Sequence, residues 1–206
     1  VTALPPLIGL IGKKRVGKDT FAAVLVEEFG FARVAFADPL KAMALTIDPW
    51  ALPGDEHRLF MRLTDLIDDE GWEVAKEEYP EVRRFLQRLG DGVRQFDPEF
   101  WVGAGMYAAD IARRGVFAHR NADYYAEGKS PKPVVITDVR YPNEADAIRD
   151  AGGTLIRIVR PDADDGDTHA SETALDGYAA DTVVSNQGSL DLLTWSARQF
   201  ARESLA

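Results

Sequence analysis

The sequence predicts an α/β fold on a parallel sheet, and two stretches carry that prediction. The first is Leu7-Ile8-Gly9-Leu10-Ile11-Gly12-Lys13-Lys14-Arg15-Val16-Gly17-Lys18-Asp19-Thr20, an apolar run that breaks into glycines and cations and then into a helix-forming segment. The second holds a β-branched strand, Pro133-Val134-Val135-Ile136-Thr137, a helix from Ala145 to Ala151, a Gly152-Gly153 stop and another strand, Thr154-Leu155-Ile156-Arg157-Ile158-Val159. This is a βαβ unit, which closes a parallel sheet through a right-handed crossover.

The first stretch reads as strand, phosphate loop, helix. Gly12, four residues, then Gly17-Lys18 is the spacing in which backbone N–H groups and a helix N-terminus cradle a polyphosphate while the lysine reaches the β- and γ-phosphates. Gly17 lets the backbone approach the anion, and Lys18 neutralises it. Phe21 to Phe29 has helical apolar spacing, the context the motif requires; without it these residues are a glycine-rich turn with surface lysines. After the lysine comes Asp19 where the motif has Ser or Thr, and the hydroxyl arrives one place later at Thr20. A carboxylate there repels triphosphate but is suited to holding magnesium through water.

With 206 residues, 46% hydrophobic and 28% charged, one globular domain is expected. No apolar run reaches the length of a membrane span, and Val1 to Pro6 lack the basic start of a signal peptide, so a cytoplasmic protein is expected. The absence of cysteine excludes disulfides, thiolate zinc sites and cysteine nucleophiles. A net charge of −10 argues against nucleic-acid or membrane partners. Anionic ligands must therefore meet local cations: Lys13-Lys14-Arg15-Lys18, Arg83-Arg84-Arg88-Arg94, and singly Lys41, Arg140 and Arg160.

Ala32 to Ala37 reads as a second strand, ended by Asp38-Pro39, with Lys41 in the first turn of the next helix. Ligands gather outside the carboxyl ends of strands in open α/β sheets, so Asp38 and Lys41 fall where the phosphate loop falls. The alternative is an N-cap aspartate and a solvated lysine. Residues 48 to 80 are acidic and broken by Pro49, Pro53-Gly54 and Gly71, which predicts short helices in an insertion rather than sheet, with His57 on the surface. From Pro80 onward Val82, Phe85, Leu86, Leu89 and Val93 form one helical stripe. At 100° per residue Arg83, Gln87, Gly90 and Arg94 flank it, while Arg84 and Arg88 point away. Such a flank fits a pocket for a phosphate and a base edge, or else arginines on a solvated face. Phe96, Phe100 and Trp101 read as core, with Trp101 also suited to stacking on a base. Arg113 to Pro133 is polar and turn-rich, a surface loop.

Asp138 follows the strand in the position from which a second aspartate helps hold magnesium in phosphate-loop enzymes, and Arg140 is placed to clamp a phosphate; an Asp–Arg surface pair is the alternative. Asp162 to Asp167 imitates a calcium loop, but its register and the missing terminal glutamate leave a solvated lid segment. Thr168 to Glu172 is shaped like a helix entry. A last strand, Asp181 to Ser185, leads through Asn186-Gln187-Gly188-Ser189 into an amphipathic helix.

In their order and spacing, the Gly12 to Thr20 loop, Arg83 to Gly90, Phe100-Trp101-Val102, Thr137-Asp138-Val139-Arg140 with Glu144, Val159-Arg160-Pro161, Asp167 to Glu172 and Ser185 to Leu190 resemble the phage-type deoxynucleoside monophosphate kinases over nearly the whole chain. The resemblance implies a P-loop nucleoside monophosphate kinase-like fold: a five-stranded parallel sheet with helices on both faces, a monophosphate-binding arm and a lid. A core of about 5–47 and 133–206, an insertion of about 48–132 and a lid of about 161–180 are expected. By resemblance Gly12, Lys13, Lys14, Arg15, Gly17, Lys18, Asp19 and Thr20 hold the ATP phosphates, and the turn with Asn186 and Gly188 approaches the adenine. Asp38, Lys41, Arg83, Gln87, Trp101, Asp138, Arg140 and Glu144 line the monophosphate site.

Asp91 stands where the family favours threonine, a departure at that turn. The implied reaction is ATP- and magnesium-dependent phosphorylation of deoxynucleoside monophosphates to diphosphates, in host cytoplasm if the chain is phage-encoded. Lys18, Arg140 and Asp138 act in catalysis, Asp138 on the metal through water, and Arg160 or a lid cation closes the clamp. Kinases of phosphomevalonate or dephospho-coenzyme A and a non-catalytic ATP-binding switch are the rival readings. A monomer and a homodimer both remain open.

Overall fold

Five strands make one parallel sheet: β1 (Leu7–Ile11), β2 (Ala32–Val34), β5 (Val134–Ile136), β6 (Thr154–Val159) and β7 (Thr182–Ser185), in the order β2-β5-β1-β6-β7. The computed structural model describes residues 4–51, 61–115, 130–161 and 173–205. His57, Asn121, Gly128, the Asp162 to Asp167 stretch and the Thr168 to Glu172 helix entry lie outside them, as does most of the expected lid.

The chain divides into two units, one made of Val1–Phe36 with Ala104–Ala206 and the other of Ala37–Gly103. In the first, alternation along the strands feeds two apolar layers. Ile8, Leu10, Val135, Ile156 and Ile158 pack with Phe21 and Leu25 of α1 (Lys18–Phe29) and with Leu193 and Ala197 of the C-terminal helix. Leu7, Ile11, Val134, Ile136 and Leu155 pack instead with Ala109 of α5 (Phe100–Arg114) and with Ala145 and Ile148 of α6 (Pro142–Asp150). Helices therefore cover both faces, as expected, and the loops at the carboxyl ends of β1, β5 and β6 are left to meet a ligand. The C-terminal helix, α7 (Leu190–Leu205), is also tied to α1 by Arg198, which donates to both oxygens of Glu28 at 2.8 and 2.7 Å.

The second unit is helical. α2 (Ala37–Ile47), α3 (Leu63–Glu78) and α4 (Pro80–Phe96) pack around Ala44, Leu63, Leu66, Ala75, Tyr79, Val82 and Leu86. The predicted stripe on α4 is the packed one. Gly71 bends α3 at φ 77° rather than ending it. The Asp48 carboxylate accepts from the Thr64 backbone N–H at 3.0 Å and from its hydroxyl at 2.9 Å, capping the start of α3 from outside the helix.

Three expectations are corrected. Residues 48 to 80 are not purely helical: β3 (Trp50–Ala51) pairs antiparallel with β4 (Met61–Arg62), held where the Arg62 guanidinium lies 4.3 Å from the Trp50 ring centroid. Phe96 is not core but 93% exposed, because α4 ends there, beyond the last turn that packs. Arg113 and Arg114 belong to α5 rather than to a surface loop, and Arg113, 7% exposed, donates through Nε to the Pro5 carbonyl at 2.8 Å. Burial lowers the Arg113 pKa. Of the elements near the junctions, α2 goes with the helical unit and most of α5 with the sheet. Among the described residues no helix is long and apolar enough to cross a membrane.

Candidate active site

Gly12 follows β1 at φ 141°, and a Cβ there would lie 2.4 Å from the Ile158 carbonyl oxygen, so no other residue fits that turn without moving β6. At Gly17, φ 103°, a Cβ would come 2.7 Å from the Asn186 side-chain nitrogen. The loop between them winds tightly enough for the Lys18 ammonium, one residue into α1, to donate to the carbonyls of Gly12 and Lys13, both at 2.7 Å. That arrangement holds the lysine over the loop. Asn186, in the turn expected to approach the adenine, donates to the Val16 carbonyl at 2.8 Å and so braces the loop. Gly188 lies against Leu192, where a Cβ would meet its Cδ2 at 2.8 Å. Arg15 and Asp19 are exposed; Lys13, Lys14 and Thr20 are half-buried.

The end of β5 carries the second group. The Asp138 carboxylate accepts from the Phe36 backbone N–H at 2.7 Å, joining the ends of β5 and β2. Glu144, expected to line the monophosphate site, is only 1% exposed. Its carboxylate accepts from the backbone N–H groups of Arg140 at 2.7 Å and Tyr141 at 3.1 Å. One carboxyl oxygen accepting two successive backbone N–H groups holds both in place, so Glu144 shapes the turn that presents Arg140.

Gly12 and Lys13 of the loop and Val139 and Arg140 after β5 line one pocket together with Arg157, Leu175 and Asp176; Lys18, Asp138 and Glu144 do not line it. Arg157 escaped the sequence reading. Its signal was visible, a lone arginine inside the apolar strand Thr154 to Val159, where a charge is costly unless partnered. It pairs in register with Ile11, the residue before Gly12, and its Nη2 donates to the carbonyls of Leu175 and Tyr178, both at 2.7 Å.

Asp38, Lys41, Arg83, Gln87 and Trp101 belong to the helical unit. Lys41 Nζ lies 5.6 Å from the Trp72 ring centroid, a cation–π contact. Asp38 is in the first turn of α2. Arg83 and Gln87 are exposed and Arg94 half-buried on α4. Arg84 pairs with Glu81 at 2.9 Å on the exposed face. Trp101 corrects the expectation of base stacking: it is 2% exposed and its Nε1 donates to the Gly90 carbonyl at 3.1 Å, so its ring packs instead of presenting a face. Arg160, expected to complete the clamp, is exposed just past β6.

The phosphate loop with its anchored lysine thus lies beside a strand end that carries an aspartate and a braced arginine. The family model described as deoxynucleotide monophosphate kinase matches residues 61–196, from β4 of the helical unit into α7. The chain belongs to that family. It is a kinase of deoxynucleoside monophosphates. A protein of Acanthamoeba polyphaga mimivirus is 33% identical over 182 residues, covering 86% of both chains. The deoxynucleotide monophosphate kinase of Enterobacteria phage T4 is 28% identical, covering 91% of this chain and 95% of its own. Among solved structures, TT1252 from Thermus thermophilus overlays with a TM-score of 0.46 at 17% identity, covering 98% of both chains.

Proposed function

We propose that this kinase uses ATP with magnesium as donor and moves the terminal phosphoryl group in line onto the phosphate of a deoxynucleoside monophosphate, without a covalent enzyme intermediate. The observation that carries the donor assignment is the Lys18 ammonium held by two carbonyls of its own loop. Backbone N–H groups from Gly12 to Lys18 would cradle the β-phosphate, and Lys18 would shield the oxygens on which charge builds. The acceptor oxygen is already anionic, so no general base is needed. Arg140 is assigned to the acceptor phosphate, and Asp38, Lys41, Arg83 and Gln87 to the acceptor on the helical unit.

The donor chemistry near the loop suits magnesium. Asp138 and Asp19 offer carboxylates and Thr20 a hydroxyl, all hard oxygen ligands, and magnesium keeps several waters and takes only one or two carboxylates beside substrate phosphates. When bound, the ion supplies charge neutralisation at the bridging oxygens. Asp138 is assigned to it through water.

A coupled ADP-release assay tests the reading across deoxy- and ribonucleoside monophosphates, dephospho-coenzyme A and phosphomevalonate. Turnover is expected with deoxynucleoside monophosphates. Turnover confined to either of the last two compounds, or ATP binding with no transfer to any acceptor, would overturn it.

A further inference from the structure

We infer that Arg157 is a phosphate-binding residue of the pocket beside the loop, together with Lys13 and Arg140. The inference deepens the kinase reading and rests on it for the identity of the nucleotide. Arg157 spends one nitrogen on structure: Nη2 bridges the carbonyls of Leu175 and Tyr178. Those two residues close a turn in which the Tyr178 N–H donates to the Leu175 carbonyl at 3.0 Å. The guanidinium has five N–H donors, and this bridge uses only the two on Nη2. Among the described residues Nε and Nη1 have no hydrogen-bond acceptor, yet no side-chain nitrogen there is both buried and unpaired. The remaining donors are therefore open to solvent, and Arg157 lines the same pocket as Gly12, Lys13 and Arg140.

Three cations thus converge on the first residues of a phosphate loop, against one carboxylate, the exposed Asp176. The chemistry such a pocket selects is a phosphate group. Arg157 differs from a surface arginine because its head is already fixed, so binding an anion costs it little rotamer entropy.

Titration of the full chain with inorganic phosphate, followed by NMR through the Arg157 side-chain Nε–H and the Gly12 and Lys13 amides, tests this. All three signals are expected to move and saturate together. Phosphate affinity should fall at least ~10-fold in Arg157→Gln, the scale of a lost charge-assisted hydrogen bond, and less than ~3-fold in Arg157→Lys, which keeps the charge but not the fork. A purely structural Arg157 would give the reverse pattern: both variants melt earlier, phosphate affinity is unchanged, and the Nε–H stays silent while the loop amides shift. That result overturns the inference. Should Arg157→Gln fail to fold, the wild-type titration alone decides.

In steady state, a raised KM for the deoxynucleoside monophosphate would mark the acceptor phosphate as the occupant, and a raised KM for ATP the donor's; either supports the site. Wild-type protein that binds phosphate through Arg157 yet phosphorylates no deoxynucleoside monophosphate would leave the anion site standing and remove the kinase reading.

Discussion

Lys18 and Arg83 are both cations assigned to phosphates, and the fold treats them in opposite ways. Lys18 is held by two carbonyls of a loop whose glycines sit at φ 141° and 103°, so its place is decided before any ligand arrives. Arg83 stands on the exposed flank of a helix and has no hydrogen-bond or ion-pair partner among the described residues. Preorganised charge contributes most to a transition state because it needs no reorganisation, whereas a mobile side chain must be ordered as it binds. The difference ranks the expected effects of removing each.

Lys18→Ala should therefore give the largest loss, on the order of 10²–10³ or more in kcat, the range for losing one preorganised stabiliser of developing charge. The fold should survive, since Lys18 is only half-buried at the start of α1 and takes no part in the two apolar layers. Near-normal turnover from a folded Lys18→Ala protein, checked by its thermal transition, would remove the phosphate-loop assignment.

Asp138→Asn comes next. Asparagine keeps an oxygen to accept the Phe36 N–H, so the link between β5 and β2 persists while the charge is lost. A fall of roughly 10–100-fold is expected at limiting magnesium, recovering partly as magnesium is raised, as for groups that orient or hold a metal. If activity fell equally at every magnesium concentration, Asp138 would be acting through the turn that carries Arg140 rather than through the ion.

On the helical unit the comparison sharpens to two adjacent arginines. Arg84 is paired with Glu81 on the solvated face, as helical geometry required once the stripe from Val82 to Val93 was placed. Arg83→Ala should lower kcat/KM for the monophosphate by roughly tenfold, the low end for a charge-assisted bond because the side chain is exposed and screened. Arg84→Ala should be nearly silent, and KM for ATP should hold in both. Equal losses would remove both Arg83 and Gln87 from the acceptor assignment.

The same contrast explains what could be read from the chain. The loop, the βαβ unit and the α4 stripe were legible because each is a local pattern with one physical meaning: glycine where a Cβ would strike Ile158, β-branched runs between turns, apolar residues every three or four. Glu144 and Asn186 were found as residues, but their backbone partners were not legible, because a carboxylate or amide that serves backbone N–H and carbonyl groups looks in sequence like one that serves a ligand. Trp101 failed similarly, since an indole that donates to Gly90 and one that stacks on a base share the same letter. Arg157 needed the partner carbonyls of Leu175 and Tyr178, which only the fold brings to it.

The smallest expected effect concerns stability, and it separates the two units. In the helical unit, the hydrogen bond from the Thr64 backbone N–H, ahead of the contribution of its hydroxyl, lowers the Asp48 pKa. In the sheet unit the bond from Arg198 does the same for Glu28. A carboxyl whose folded pKa lies below its unfolded one adds stability that is fully present above the unfolded value and is lost as pH falls through the folded value. Both contributions should therefore persist at neutral pH and fade only below about pH 4. Asp48→Asn retains an acceptor for Thr64 without the charge, so its stability relative to wild type should be reduced at pH 7 and converge on it as the pH drops below 4. Hydrogen exchange at α3 amides should report the change while amides of β1 and β5 remain as protected as before. A gap that stayed constant from pH 7 to pH 3 would show that shape and not charge makes Asp48 a cap. Loss of protection in the strands as well would show that the two units unfold as one.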